Sequence, residues 1–225
     1  MVSNGRSALS PTHTIRPVSL RMTQRKKQPR ITRAALLDAA GEEFSRSGYV
    51  GTALGSVVTR AGLTKGALFH HFPDKRSLAQ AWIDERLAEA IAELWLSPLE
   101  HADSLDALRQ LCRLRFSELT PGDATSALSA LAAECLAPGN MLGPHLEHIF
   151  DAWRAAVAGL LERGKTAGRI HRSIKPAAEA AFFVALIAGV AVTANSPRNA
   201  ATRRACLTSL EDYLETLRSP SAGTI

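Results

Sequence analysis

The run Thr64-Lys65-Gly66-Ala67 places a hydroxyl, a cation and two residues of little bulk at what reads as one helix start. An ammonium there, beside backbone N–H groups that no preceding turn satisfies, favours a phosphate. Gly66 and Ala67 let a helix backbone come close to base edges, and the Ala67 methyl suits a thymine methyl. His70, on the outward side, can bond a base or a phosphate, and Phe69 can pack on a sugar. Lys75 opens the following helix and repeats the cationic start. Thr52 and Thr64 can each cap a helix and touch a phosphate with the same hydroxyl. These are binding groups rather than catalytic ones. The chain has no G-x-S-x-G, H-E-x-x-H, phosphate-loop or dinucleotide motif. His70 and His71 are adjacent, so they point about 100° apart on a helix and cannot share a metal. His145 and His148 can share a face, but no third ligand stands near, and Glu42-Glu43 reads as a solvated helix face. No enzyme, metal or cofactor reading has residues to rest on.

Two short helices must hold the binding groups. Leu54, Val57, Val58 and Ala61 recur at helical spacing, with Thr52 placed to cap. Gly62 supplies the left-handed backbone of a tight turn. The second helix is capped by Thr64 and turns Leu68 and Phe72, four apart, inward. A helix, a glycine turn and a second helix, spanning about 53–72, form a unit that can lay its second helix in the major groove. An earlier helix, Thr32 to Ser47, directs Leu36, Leu37, Ala40 and Phe44 at the same core.

The run Thr64-Lys65-Gly66-Ala67-Leu68-Phe69-His70-His71-Phe72, then Asp74-Lys75, resembles the DNA-binding domain of the TetR-type (tetracycline-repressor-like) transcriptional regulators. Phe44, Gly48, Tyr49 and Thr52 fit the same pattern, over roughly residues 31–80. The resemblance implies operator DNA as partner, a homodimer, a helical effector domain and, most often, repression relieved by a small molecule. Phe69 stands where the family usually carries tyrosine, which removes a hydroxyl expected to bond phosphate.

Charge agrees with a polyanion partner for one end only. The formal net charge is +6, yet residues 1–80 hold 13 Lys and Arg against 4 Asp and Glu, and the remainder holds 14 against 17. Residues 1–30 carry basic residues and no acid, which argues for a disordered arm. Within it, Arg25, Lys26, Lys27 and Arg30 can lie along phosphates or in a minor groove; a solvated tail is the competing reading. Cys112, Cys135 and Cys206 are too few and too dispersed for a disulfide framework or zinc site. They fit a reducing, cytoplasmic setting. No secretory signal is expected, and the uncharged stretch Ala180 to Ala194 is shorter than the ~20 residues of a membrane span, so no membrane partner is expected.

The expected fold is all-α with about nine helices: a three-helix DNA-binding domain over 31–76, then an effector-binding and dimerisation domain over 77–217, and a disordered tail at 218–225. After a helix from Asp74 to about Trp95, ended by Pro98, segments fall at 104–119, 124–137, 144–166, 176–195 and 199–217. The helix 177–194 is apolar nearly all round and needs cover on every side; Phe183, Ile187 and Val190 are its candidate dimer-interface residues. Trp95, Cys112, Phe116, Leu131, Met141, His148, Phe150 and Trp153 are candidates to line an effector cavity, although core packing accounts for each equally well. Control by thiol oxidation or by a protein partner stays open beside the small-molecule reading, and an enzyme or carrier is the remote third.

Overall fold

Apolar residues at helical spacing make nine helices in the computed structural model, which describes residues 19–102 and 104–219, with side chains from Arg30 onward. α1 is Ser19–Gly51, α2 Leu54–Arg60 and α3 Lys65–His71. α4 begins as Lys75–Trp82 and continues as one rod through Ile83–Leu87, Ala88–Ile91, Ala92–Leu96 and Ser97–His101. Then come α5 Leu105–Glu118, α6 Ala124–Cys135, α7 Gly143–Thr166, α8 Pro176–Thr193 and α9 Ala200–Thr216. An isolated antiparallel bridge joins Ile170 to Arg218.

Three boundaries differ from expectation. The backbone is helical from Ser19 rather than from Thr32, because Leu, Met, Gln, Lys and Arg are strong helix formers even where they bury nothing. The expected arm is therefore helical over its last part. Residues 1–18 lie outside the described residues, as do the side chains of Arg25, Lys26 and Lys27; Arg30 is exposed. Pro98 does not end α4, which runs on to His101. Five-residue π turns at Ile83–Leu87 and Ala92–Leu96 widen the rod, and the second immediately precedes the proline, relieving the clash its ring would make with a tighter turn. At the other end, Arg218 and Ser219 are not tail. Arg218 bonds Asp106 and Glu215, and the Ser219 N–H donates to the Arg169 carbonyl at 3.0 Å.

α1–α3 form a reading head around Leu36, Leu37, Ala40, Phe44, Val57, Val58, Leu68 and Phe72, all buried. α4 enters this core through Leu78 and Trp82. Gly41 makes that approach possible, since a Cβ there would lie 2.4 Å from Trp82 Nε1. The remaining helices form the body. α7 and α8 pack closely, α6 lies against both α8 and α1, and α9 lies along α5. Side-chain caps fix several starts: Ser104 for α5, and Asp123, which accepts from the Thr125 and Ser126 N–H groups at 2.8 and 3.1 Å, for α6.

Candidate nucleic-acid interface

The turn before α3 sets its direction. Gly62 takes φ 64°, and the Leu63 N–H returns to the Val58 carbonyl at 3.0 Å, closing α2. Thr64 then caps α3 as expected, its hydroxyl accepting from the Ala67 N–H at 3.2 Å. Leu68 and Phe72 point into the head, so the opposite face is free. Thr64, Lys65, Gly66, Phe69 and His70 are exposed on it and Ala67 is half-buried. Phe69 is 52% exposed, a large apolar surface for a helix this short to leave in water. A Cβ on Gly66 would meet nothing nearer than Thr64 Oγ1 at 3.8 Å. Nothing among the described residues demands glycine there, although glycine costs a helix roughly 1 kcal/mol against alanine, and the backbone is left open on that side.

Thr52 does not join this surface. It is 4% exposed, and its hydroxyl donates to the Gly48 carbonyl at 2.6 Å instead of capping α2. α2 begins at Ala53 with no side-chain cap. The cause is Gly48, whose φ of 69° breaks α1 and leaves its carbonyl facing Thr52. Lys75 is partly committed too. Its ammonium donates to the Val50 carbonyl at 3.0 Å and lies 4.7 Å from the centre of the Tyr49 ring. Burial lowers its pKa, with Glu134 acting in the opposite sense.

The cations of the head differ in how far they are neutralised. Arg60 bonds Glu42 and Glu43, each at 2.6 Å; Arg46 bonds Glu43; Arg33 bonds Glu85. Lys65 has no partner among the described residues. An unneutralised charge of the head thus sits at the start of α3, beside that helix's free N–H groups. His71, inward of His70, has its pKa lowered by burial and then by His70 and Arg33, so it is neutral near pH 7. Among the described residues no group of three or more His, Cys, Asp or Glu is placed to hold a metal.

A sequence profile for bacterial regulatory proteins of the tetR family matches residues 36–82, the stretch that builds this surface. The A-factor receptor protein of Streptomyces griseus is 30% identical over 171 residues, covering 76% of this chain and 57% of the receptor. A TetR transcriptional regulator from Chloroflexus aurantiacus superimposes with a TM-score of 0.74 at 26% identity, covering 85% of this chain and 98% of that one. Residues 36–82 belong to the tetR family. A γ-butyrolactone receptor structure, 29% identical with a TM-score of 0.57, covers 84% of this chain and 98% of its own. A tetR-family domain over 36–82, on a chain with the fold of a TetR regulator, accounts for the division into reading head and helical body.

In the body, the expected effector residues separate. Trp95 and Trp153 stack with centroids 4.8 Å apart, and Phe183 meets Trp95 edge-on at 6.3 Å. Trp95 Nε1 donates to Thr125 Oγ1 at 3.0 Å, whereas Trp153 Nε1, fully buried, has no acceptor among the described residues. Cys112, Phe116, Leu131 and Phe150 are buried. Met141 is 64% exposed and His148 is exposed, so neither lines an interior cavity. Met141 lies in the turn before α7, and the inward stripe of that helix passes through Ile149 and Phe150, leaving His148 in water. The expected interface residues are also core: Phe183, Ile187 and Val190 are 2%, 2% and 6% exposed. The uncovered face of α8 is instead Ala181, Phe182, Ala185, Gly189 and Val192, with Phe182 48% and Val192 52% exposed. By length and composition α8 is apolar enough to cross a membrane; its packed face is that of a core helix.

Two features escaped the sequence. A cleft of about 900 Å³ lies between α1, α4 and the Pro121–Gly122 turn, with Trp82, Leu87, Ala90 and Ala127 among its lining residues. Glu134 on α6 also reaches the end of α1 and accepts the Val50 N–H at 2.8 Å. A polar bond thus joins body to head beside the point where Lys75 holds the Val50 carbonyl. The partners are 84 residues apart, and no local spacing announces such a contact.

Proposed function

We propose that the protein binds a near-palindromic operator as a homodimer, with α3 of each copy in the major groove, and represses until a small molecule releases it. The exposed, unneutralised face of α3 carries this reading. Lys65 and the α3 N–H groups take phosphates, Ala67 and His70 meet base edges, and Phe69 packs against sugar. Lys75 contributes by holding the Val50 turn and offering its remaining N–H donors. The dimer forms through the Phe182 and Val192 face of α8 together with α9.

The effector is a compact molecule with an apolar body and a carbonyl acceptor, seated where Trp153 Nε1 lacks one; a buried donor without a partner costs about 1–3 kcal/mol. Similarity to proteins named as receptors for A-factor and for a γ-butyrolactone favours a lactone over an ion. The effector must bind the DNA-free form better than the DNA-bound one, since equal affinity shifts nothing. Thiol control finds little support: burial pushes the Cys112 thiol up to about 12 and raises that of Cys135. Selection of bound duplexes from a random pool tests the reading. It should return two half-sites about one helical turn apart or slightly more, and a γ-butyrolactone should lower affinity for them. Recovery of no preferred sequence would overturn it.

A further inference from the structure

We propose that the pocket between α5 and the start of α9 is a binding site for a small organic carboxylate. Arg113, Phe116 and Ser117 line it from α5, and Arg203, Arg204 and Leu207 from α9. The cavity is about 220 Å³. At about 30 Å³ for each water in the liquid, that is the space of roughly seven waters. It lies below the ~300–1,000 Å³ typical of larger ligands. Size therefore selects a short acid.

Charge selects the sign. Three arginines line one small space, and among the described residues only Arg113 is paired with a carboxylate, that of Glu211, so the lining keeps a positive excess that favours an anion. Arg113 spends its Nε on Glu211, and Arg203 spends one Nη on the Ala194 carbonyl at 2.9 Å. Arg204 has no side-chain partner among the described residues. The remaining N–H groups present the planar fork that a carboxylate accepts in pairs. Ala200, the first residue of the seventeen-residue α9, lines the same pocket and adds the positive end of that helix.

The walls select an organic anion over phosphate. Phe116 is 4% exposed and Leu207 is half-buried, so one side is hydrocarbon. The Ser117 hydroxyl already donates to the Leu114 carbonyl at 2.7 Å, leaving the arginines as the donors. A carboxylate head on Arg204 and Arg203 with a short apolar part against Phe116 satisfies every wall; inorganic phosphate would leave the hydrocarbon side unmatched. The site is separate from the Trp95–Trp153 layer and from α3, and it shares only α9 with the proposed dimer face.

Titration calorimetry and thermal melting of the full chain with sodium benzoate, and separately with sodium phosphate at matched ionic strength, test it. Benzoate should bind saturably, one per chain, and raise the melting temperature. Arg204→Ala should weaken binding at least about ten-fold, Arg204→Lys should recover part of that loss, and Arg172→Ala, elsewhere on the surface, should change nothing. Absence of saturable benzoate binding at about 10 mM, the regime of weak small-ligand affinities, would overturn the proposal. So would benzoate binding indifferent to Arg204→Ala, or phosphate binding as tightly as benzoate.

Discussion

Phe182 and Phe183 are neighbours in sequence with opposite surroundings, and replacing each in turn separates dimer assembly from folding. Phe183 is 2% exposed and meets Trp95 edge-on, so Phe183→Ala removes a ring from a closed layer. Truncating a buried phenylalanine costs about 3–5 kcal/mol. At about 2–4 °C per kcal/mol for a chain of this size, melting should fall by roughly 6–20 °C. Phe182 is 48% exposed, with one edge on Tyr213 at 4.9 Å, and the rest of its ring has no cover among the described residues. Phe182→Glu should therefore keep the helical fold at 25 °C. In a dimer sealed by α8 it buries a carboxylate from each copy, beside Glu179. A cost of about 4 kcal/mol per dimer, conservative for two unpaired buried charges, raises the dissociation constant by about three decades at 1.4 kcal/mol each. Sedimentation at micromolar concentration should show wild-type dimer and Phe182→Glu monomer, while Phe183→Ala stays dimeric below its lowered melting point. A Phe182→Glu protein that sediments as the wild type does would refute the assignment of this face.

Three further outcomes follow from named contacts. Glu134→Ala removes the acceptor of the Val50 N–H; hydrogen exchange at the Val50 amide should quicken and operator affinity should fall, while Glu134→Gln, which keeps an acceptor, should lie between. The Glu43 carboxyl is held below its ordinary range by bonds from Arg60 and then Arg46. A depressed folded pKa contributes stability above the unfolded value of about 4.3, and that contribution is lost as pH falls through the folded pKa. Melting temperature should thus drop on the acid side of pH 4.3, less steeply in Glu43→Gln. In a Cys206→Ala background peroxide should leave operator affinity unchanged, because burial keeps the Cys112 and Cys135 thiols neutral; release by peroxide that further Cys112→Ala, Cys135→Ala substitution abolishes would reverse that conclusion.

Local pattern carried the helix-turn-helix almost completely. Leu68 and Phe72 are four apart, Gly62 sits where a left-handed turn is needed, and Thr64 stands three residues before the N–H it caps; all three relations lie within one turn of chain. The five helices after α4 start and end within about two residues of their proline, glycine and capping signals, as short-range rules allow. Thr52 misled because its partner depends on Gly48, whose break in α1 is a tertiary event. The α8 interface misled for a related reason. A helix apolar all round does not declare which stripe faces α7, and Phe183 rather than Phe182 took the inner place. Met141 and His148 failed as cavity residues because composition says nothing of how α7 is rotated. The Glu134–Val50 bond and the cleft above Trp82 join segments far apart in the chain, which no local spacing encodes.

If the free face of α3 meets DNA, operator affinity must carry the mark of Lys65 in its dependence on salt. Each neutralised phosphate contributes a slope of about −0.9 in log affinity against log salt. Loss of Lys65 from both copies should flatten the wild-type slope by about 1.8, with the melting temperature unchanged. Arg60, already bonded to Glu42 and Glu43, should leave the slope nearly untouched when replaced by alanine. Fluorescence anisotropy on one selected palindrome across a salt series gives both numbers. A Lys65→Ala protein that folds, dimerises and keeps the wild-type affinity and slope would contradict the account.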